Sequence, residues 1–208
     1  MAGTKELILT TALELFAREG YEAVSVSRIA AALGMTKGAL YRHYRNKRDI
    51  FDHILARMEQ QDAAQAADSG VPEGPREEME SAYANTTVAE LVAFSRSMFR
   101  YWTRDPFAAP FRRLLTLEQY RSREMGALYQ QYLAAGPMDY VADLLDSTGL
   151  PDARAEAAAF YAPMFLLWSV WDGAEDREAV TSLADRLLEA AGAHLETQLQ
   201  RRGSDGIS

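Results

Sequence analysis

Residues 25–49 read SVSRIAAALGMTKGALYRHYRNKRD, and this stretch determines most of what can be predicted about the fold and the function. It contains two short helical segments joined at Gly34, a residue type that readily adopts the left-handed conformation of a tight turn. Between Arg28 and Arg48 there are six basic residues and no acidic one. Positive charge clustered on a small folded unit indicates a surface that binds a polyanion.

The net charge of the whole chain has the opposite sign. The 208 residues carry a formal charge of -8, yet residues 1–57 carry nine Lys and Arg against six Asp and Glu, a balance of +3. The remaining residues carry thirteen against twenty-four, a balance of -11. The N-terminal part is therefore the expected partner of a polyanion.

Composition argues against several other classes of protein. The absence of cysteine excludes a disulfide scaffold and cysteine-ligated zinc, and it fits a cytoplasmic location. Residues 1–10 show no secretory signal, and the most apolar run, 157–170, is shorter than the roughly 18 to 20 residues that cross a bilayer. The three histidines match no metal-ligand motif, and there is no glycine-rich phosphate loop. We therefore predict no membrane partner, no metal, no cofactor and no enzymatic activity.

Apolar residues recur at helical spacing along nearly the whole chain, which predicts an all-α fold. Leu9, Ala12, Leu13 and Phe16 form such a face before Gly20. In the second half, helical segments are predicted at 87–104, 111–135, 138–147, 153–172 and 177–200. Breaks are predicted at 68–75, 105–106, 136–137 and 149–151, and disorder is predicted for 201–208.

Helix starts are marked by side chains that can accept hydrogen bonds from the free N–H groups of a first turn. Ser25, Thr36 and Asn46 each stand before a helical segment. Residues 87–90, Thr-Val-Ala-Glu, match a capping box. Three helices with a glycine turn between the second and third match a helix-turn-helix, whose last helix enters the DNA major groove.

One face of that last helix has the chemistry to read DNA. At 100° per residue, Lys37, Gly38, Tyr41 and Arg42 share a side, and Leu40 lies opposite as an apolar anchor. Lys37 and Arg42 can donate to guanine or to phosphates, and Gly38 permits close approach of the backbone. Phosphate contacts suit the hydroxyls of Ser25, Ser27, Thr36 and Tyr41, and the amine of Lys47. The alternative, a solvated basic helix pair, is disfavoured by the lack of acidic residues.

Three blocks carry a family resemblance: ILxxAxxLFxxxGY at 8–21, SVxxIAxxLG at 25–34 and TKGALYxHYxxK at 36–47. Over about residues 5–55 the chain resembles the DNA-binding domain of the tetracycline-repressor (TetR) family. The resemblance implies an all-helical, cytoplasmic, homodimeric transcriptional regulator, usually a repressor that a small ligand releases from DNA. It also implies a helix-turn-helix DNA-binding domain at 1–47 and a helical regulatory, ligand-binding and dimerisation domain at 48–208.

The resemblance also assigns roles within residues 36–47. Residues 36–44 form the recognition helix, and Lys47 takes the phosphate position at the start of the fourth helix. Tyr44 stands where the family more often has Phe, so its hydroxyl either reaches a phosphate or lies at the margin of the core. The predicted DNA-contacting residues are Ser25, Ser27, Arg28, Thr36, Lys37, Gly38, Ala39, Tyr41, Arg42, His43, Tyr44 and Lys47.

Aromatic residues concentrate in the second half, where fifteen of twenty-one lie between Phe94 and Trp171. Aromatic and methionine side chains around a cavity suit an apolar ligand, although the same residues can simply fill a helical core. The resemblance favours a pocket in this region. The predicted effector-binding residues are Phe94, Met98, Trp102, Phe111, Tyr129, Phe160, Met164 and Trp168.

Seven arginines lie between residues 96 and 123, at positions 96, 100, 104, 112, 113, 121 and 123. They could bind an anionic ligand. However, Arg96, Arg100 and Arg104 lie opposite the apolar stripe of their helix, so we favour a solvated or inter-helix face.

The last helix has two apolar lines, which indicates two packing partners. One partner is the core of the same chain, and the resemblance implies that the other is a second copy, joined through this helix and the 153–172 helix. A wholly internal helix is the alternative. The predicted dimer residues are Leu183, Leu187, Ala191, His194 and Leu195.

Together these features predict a ligand-responsive repressor that binds a palindromic double-stranded DNA operator as a homodimer and is released by a small apolar or aromatic effector. The alternative is a DNA-binding dimer without a small-molecule effector.

Overall fold

A computed structural model describes residues 3–69 and 85–205, with only the backbone described at 66–69 and 203–205. Across those ranges the chain forms ten helices and no strand, which confirms the all-α prediction. In chain order they are α1 (Thr4–Glu19), α2 (Val26–Ala32), α3 (Lys37–Tyr41), α4 (Lys47–Ser69), α5 (Val88–Arg104), α6 (Ala108–Glu118), α7 (Arg123–Leu133), α8 (Ala135–Ser147), α9 (Ala153–Gly173) and α10 (Arg177–Asp205).

The chain divides into two compact units, each built from two separate segments of the sequence. The first unit comprises residues Met1–Gln65 and Asp105–Tyr129, and the second comprises Ala66–Arg104 and Gln130–Ser208. The first unit therefore contains α1, α2, α3, most of α4, α6 and the beginning of α7. The predicted division of the chain at residue 47 into a DNA-binding domain and a regulatory domain concerns function, and it stays a prediction.

The first unit is built around the apolar face predicted for α1. Ala12, Leu13 and Phe16 are fully buried and Leu9 is nearly so. α1 contacts both α2 and α6. Burying these side chains stabilises the unit by roughly 1.5–3 kcal/mol for each large residue.

The predicted helix starts are confirmed by hydrogen bonds from backbone N–H groups. The side chains of Ser25 and Thr36 each accept one at 3.1 Å, and that of Asn46 accepts one at 2.8 Å. The capping box also forms, since Thr87 and Glu90 bond each other's backbone N–H at 3.2 and 2.7 Å. Gly34 has a φ of 64°, which confirms the predicted left-handed turn between α2 and α3.

The second unit packs α9 against α5, α8 and α10, and α10 against α5. Its core includes Phe99, Phe160, Leu167 and Leu188, all at most 3% exposed. α10 packs closely against α5 at Gly192, which has no side chain. A Cβ added at this position would lie only 2.6 Å from Val92 Cγ2 of α5. None of the described helices is both long and apolar enough to span a membrane.

Several predicted boundaries were wrong. The segment 111–135 is two helices that separate at 119–122, where Ser122 accepts the N–H of Met125 at 3.1 Å and starts α7. The predicted break at 136–137 is also wrong, because Pro137 lies in the first turn of α8, where N–H groups have no intrahelical partner.

The predicted break at 68–75 and the predicted disordered tail at 201–208 also differ from the structure. α4 runs through Ser69, past the predicted start of a break at residue 68, and α10 continues through Asp205, so residues 201–205 are helical and not disordered. The remainder of the predicted break, 70–75, and the last residues of the predicted tail, 206–208, lie outside the described residues.

Candidate nucleic-acid interface

α3 presents the predicted reading face to solvent. Lys37, Gly38, Tyr41 and Arg42 are all exposed, whereas Leu40 is fully buried in the core of the first unit. The Thr36 side chain fixes the start of this short helix by accepting the N–H of Ala39. The helix is therefore anchored on one side and open on the other, as the helical wheel predicts.

The basic residues of this region differ in whether they have an acidic partner. Ion pairs join Arg28 to Glu19 at 3.1 Å, Arg45 to Asp49 at 3.0 Å, Lys47 to Glu22 at 3.4 Å, and Arg48 to both Asp52 and Glu124 at 2.6 Å. Within the described residues, Lys37 and Arg42 have no carboxylate partner. The amine of Lys37 lies 5.6 Å from the ring centroid of Tyr41. These two cations can meet DNA without first breaking an ion pair.

The hydroxyls predicted to contact phosphates are also accessible. Ser25, Ser27 and Thr36 are exposed. Ser25 and Thr36 use their oxygens as acceptors for helix caps, so each hydroxyl hydrogen remains able to point outward. Ala39 and His43 are half-buried.

Lys47 is directed toward the protein. Its amine donates to the carbonyl of Tyr21 at 2.8 Å and lies 4.2 Å from the centre of the Tyr21 ring. The side chain is only 22% exposed. A phosphate contact by Lys47 requires the amine to leave these partners, so this contact stays a prediction.

Tyr44 lies in the core. Its ring is 2% exposed and meets the ring of His53 edge-on, with centroids 5.1 Å apart. Its hydroxyl donates to the carbonyl of Lys5 at 3.2 Å, and burial raises the pKa of that hydroxyl. The core-margin alternative is therefore the correct one, and we remove Tyr44 from the proposed DNA contacts.

Asp49 is a structural residue of this region that the sequence did not single out. Its carboxylate accepts both the backbone N–H of Arg45 at 2.8 Å and the Arg45 guanidinium at 3.0 Å. These hydrogen bonds from Arg45 hold the pKa of Asp49 below its ordinary value. Its position three residues after the capping Asn46 is the signal that could have revealed it.

The aromatic residues of the second unit form a packed cluster. Trp102 lies 6.4 Å from both Tyr132 and Trp168, and Tyr161 lies 6.0 Å from Trp168, all between ring centroids. These four side chains are all less than 9% exposed. The Tyr161 hydroxyl donates to the carbonyl of Leu133 at 2.8 Å. Such packing is what the core-filling alternative predicts.

The eight predicted effector-binding residues do not all belong to one unit. Trp102, Phe160, Met164 and Trp168 are buried in the second unit, where Phe94 and Met98 are half-buried. Phe111 and Tyr129 are buried in the first unit. Assignment of these residues to an effector site stays a prediction.

The arginines of α5 confirm the favoured inter-helix interpretation. Arg100 and Arg104 pair with Asp185 and Glu178 of α10 at 2.6 and 2.8 Å, and Arg96 pairs with Asp185 and with Glu189. These ion pairs between α5 and α10 neutralise the charges of the three arginines. Among the described residues, no group of three or more histidine or acidic side chains is arranged to hold a metal ion.

α9 and α10 expose apolar side chains in the second unit. Phe165, Leu166 and Val170 are 43%, 63% and 43% exposed, and Leu187 is 37% exposed. Phe165, Leu166 and Val170 are not among the predicted dimer residues. The apolar residues around the whole circumference of α9 were the signal that could have indicated a second packing partner for this helix.

Four of the five residues predicted for the dimer interface are accessible to a partner, two of them only partly. Leu187 and His194 are exposed, and Leu183 and Ala191 are half-buried. Leu195 is only 1% exposed because it packs in the core of its own chain, so we remove it from the predicted interface.

Comparison with known proteins agrees with this architecture. A family model described as bacterial regulatory proteins of the tetR family matches residues 8–54. Over 51 residues the chain is 43% identical to the HTH-type transcriptional regulator AcrR of Shigella flexneri, and the match covers 24% of each chain. The similarity to this curated relative therefore spans about a quarter of its length.

Solved structures share the fold over almost the whole chain. A tetR-family regulatory protein from Rhodococcus RHA1 matches 94% of this chain and 98% of its own, with 20% identity and a TM-score of 0.59. The SmeT–triclosan complex matches 92% of this chain and 90% of its own, with 17% identity and a TM-score of 0.62. Residues 8–54 thus match the domain model of the tetR family of bacterial regulatory proteins, and the chain shares its overall fold with tetR-family regulators of known structure.

Proposed function

We propose that the chain is a cytoplasmic transcriptional repressor that binds a palindromic operator as a homodimer and is released by a small apolar effector. Residues 1–47 bind DNA, and residues 48–208 bind the effector and the second copy. The observation that carries the proposal is α3, a capped helix on which Lys37 and Arg42 are exposed and, among the described residues, have no acidic partner.

DNA recognition follows from the chemistry of that helix. Arg42 and Lys37 donate to guanine O6 and N7, and the exposed hydroxyls at the starts of α2 and α3 hold phosphates and fix the register. Arg28 joins these contacts when a phosphate replaces Glu19 as its partner. Two copies of α3 about 34–36 Å apart read two half-sites one helical turn apart.

The exposed apolar face of α9 and α10 supports dimerisation. Phe165, Leu166, Val170 and Leu187 are large apolar side chains that remain substantially exposed in the single chain. A two-fold axis would bring the same face of each copy together and form a four-helix interface. Burial of these side chains supplies the free energy of association.

Effector binding is assigned to α5 and α9 of the second unit. Trp102, Met164 and Trp168 offer flat aromatic and polarisable surfaces to an apolar ligand. An effector that binds there shifts α4, which links the two functional regions, and changes the spacing of the reading helices. By linkage, operator and effector then weaken each other's binding by the same factor.

The operator is tested by selecting bound fragments from a random DNA pool. We expect a palindrome whose half-site centres are about 10 base pairs apart. Recovery of no common sequence would contradict DNA recognition by this chain. In vitro transcription from a promoter that contains the selected site tests repression.

The effector is tested by thermal-shift screening of apolar aromatic compounds, starting with triclosan, the compound in the SmeT structure. A compound that binds the folded chain raises the melting temperature. We expect the same compound to lower operator affinity. If no compound in a broad panel does both, the alternative of a dimer without a small-molecule effector is favoured.

A further inference from the structure

Glu118 is a buried carboxylate that reaches from α6 to the end of α1. It is 2% exposed, and its Oε1 accepts the backbone N–H of Tyr21 at 3.0 Å. The same oxygen accepts a hydrogen bond from Arg121 at 3.2 Å. A carboxylate that accepts a backbone N–H makes a stronger bond than a neutral acceptor does, and its loss leaves that N–H without a partner.

Gly20 makes this contact possible. Its φ is +87°, a conformation that other residues rarely adopt. A Cβ at this position would also lie 2.9 Å from Glu118 Oε1 and 3.0 Å from the Arg121 guanidinium. The glycine at the end of α1 therefore serves both the turn and the approach of the Glu118–Arg121 pair.

Tyr21 is held on its other side by α4. Its carbonyl accepts the amine of Lys47 at 2.8 Å, and its ring packs on Phe16 and Phe51 with centroids 5.1 and 5.3 Å away. Tyr21 and Lys47 bracket residues 22–46, the segment that contains α2 and α3. The two ends of the helix-turn-helix segment are thus tied to each other, and the Tyr21 peptide is tied to α6 through Glu118.

We propose that Glu118 is a positioning residue for DNA recognition: it fixes the base of the segment 22–46 and thereby the orientation of α3. The proposal rests on the proposed function, because it assumes that α3 reads an operator. Without the Glu118 bond, Tyr21 and the base of the segment sample more orientations. Specific recognition requires one orientation, whereas nonspecific attraction to phosphates does not.

The test compares the affinity of the full chain for the selected operator and for a random duplex of equal length. The variants are Glu118→Ala and Glu118→Asp, which lack a carboxylate at the right distance, and Glu118→Gln, which keeps an oxygen that accepts the Tyr21 N–H. Glu14→Ala, which removes an exposed carboxylate of α1, controls for net charge. Hydrogen exchange at the Tyr21 amide reports the bond directly.

We expect Glu118→Ala and Glu118→Asp to lose discrimination and Glu118→Gln and Glu14→Ala to keep it. If the competent orientation falls to about a tenth of the population, operator affinity falls about tenfold. Affinity for the random duplex stays constant, which distinguishes lost positioning from lost folding. Tyr21 amide exchange becomes faster in the two damaging variants.

The proposal is overturned if either Glu118→Ala or Glu118→Asp folds, by circular dichroism, and discriminates as the native chain does. Testing both keeps the result decisive if one of them fails to fold. Failure of the proposed function is a separate result, because in that case the native chain itself selects no operator.

Discussion

At the scale of single residues, the partners of a cation determine what it can contribute to DNA binding. An arginine already paired with a carboxylate exchanges one anion for another when it meets a phosphate, so its net gain is small. Lys37 and Arg42 have no such partner among the described residues, whereas Arg48 is held by Asp52 and Glu124. The unpaired cations should therefore contribute more than the paired ones.

Lys37→Ala and Arg42→Ala should each weaken operator binding by about 1–3 kcal/mol if the side chain reads a base. If a side chain contacts only phosphate, binding should weaken for all sequences and the salt dependence should fall by about one unit. Fluorescence anisotropy over a range of salt concentrations distinguishes these outcomes. Arg18→Ala, which removes an exposed cation near the end of α1, is the control for charge. Unchanged binding by the Lys37→Ala, Arg42→Ala double variant would show that the assigned face is wrong.

Asp49→Asn should destabilise the chain more at neutral pH than in acid. Hydrogen bonds from Arg45 lower the pKa of the folded-state carboxyl below the ordinary value of 3.8. A carboxyl of this kind stabilises the fold above its ordinary pKa, and the contribution is lost as the pH falls through the folded-state pKa. Urea unfolding of both proteins between about pH 6 and about pH 3 measures the difference, which should shrink as the pH falls. In an Arg45→Ala background the difference should be smaller at every pH, and a constant difference would contradict this account.

At the scale of helices, α3 is too short to be stable alone. It has five residues, fewer than the roughly 12–15 that an isolated helix needs in water. Its conformation therefore depends on the Thr36 cap and on burial of Leu40.

Thr36→Ala should lower both the stability of the first unit and operator affinity, because the Ala39 N–H loses its acceptor. The expected loss of stability is about 1 kcal/mol. Thr36→Ser keeps the hydroxyl and should behave as the native chain. Chemical denaturation and anisotropy measure the two effects. Equal behaviour of the alanine and serine variants would show that the Thr36 cap does not stabilise α3.

Gly192→Ala should destabilise the second unit, because the added methyl group would lie 2.6 Å from Val92 Cγ2 at the crossing of α10 and α5. Overpacking of this kind costs about 1–3 kcal/mol. Gly173→Ala, at the end of α9, is the matched control because a Cβ there has no neighbour within 4 Å. Thermal unfolding followed by circular dichroism compares the two. A melting temperature of Gly192→Ala at or above that of the control would contradict the close crossing.

Local sequence signals predicted helix starts well and some helix ends poorly. Ser25, Thr36 and Asn46 cap helices because a cap needs only a side chain and the N–H groups beside it. The break at 119–122 has no glycine or proline, so the sequence offered only the weak signal of Ser122. Proline near a helix start was read as a break because its tolerance depends on knowing where the helix begins.

At the scale of the whole molecule, the exposed apolar face of α9 and α10 predicts self-association. The Phe165→Glu, Leu166→Glu double variant should raise the dimer dissociation constant roughly 100-fold or more. Each substitution occurs in both copies, and each partly exposed side chain loses burial that contributes about 0.7 kcal/mol or more. Leu7→Glu, at a 51% exposed position of α1, is the control. Sedimentation velocity measures the dimer fraction. A double variant that stays dimeric would place the interface elsewhere.

Tertiary structure also explains which site residues could be predicted. The exposure of Lys37, Tyr41 and Arg42 follows from helical periodicity alone. The inward direction of Lys47 depends on the Tyr21 carbonyl, which lies 26 positions earlier in the chain. The Glu118 contact joins residues 97 positions apart, and no local pattern indicates such a pairing.

The first compact unit is made of two separate chain segments, and this determines how its DNA specificity could be transferred to another regulator. The unit is discontinuous, because residues 1–65 fold together with 105–129. A chimaera that exchanges only the first segment would separate α1 from the helix it packs along and would replace Glu118 with a foreign side chain. Faithful transfer of operator preference therefore requires that both segments move together, even though only the first touches DNA in our proposal.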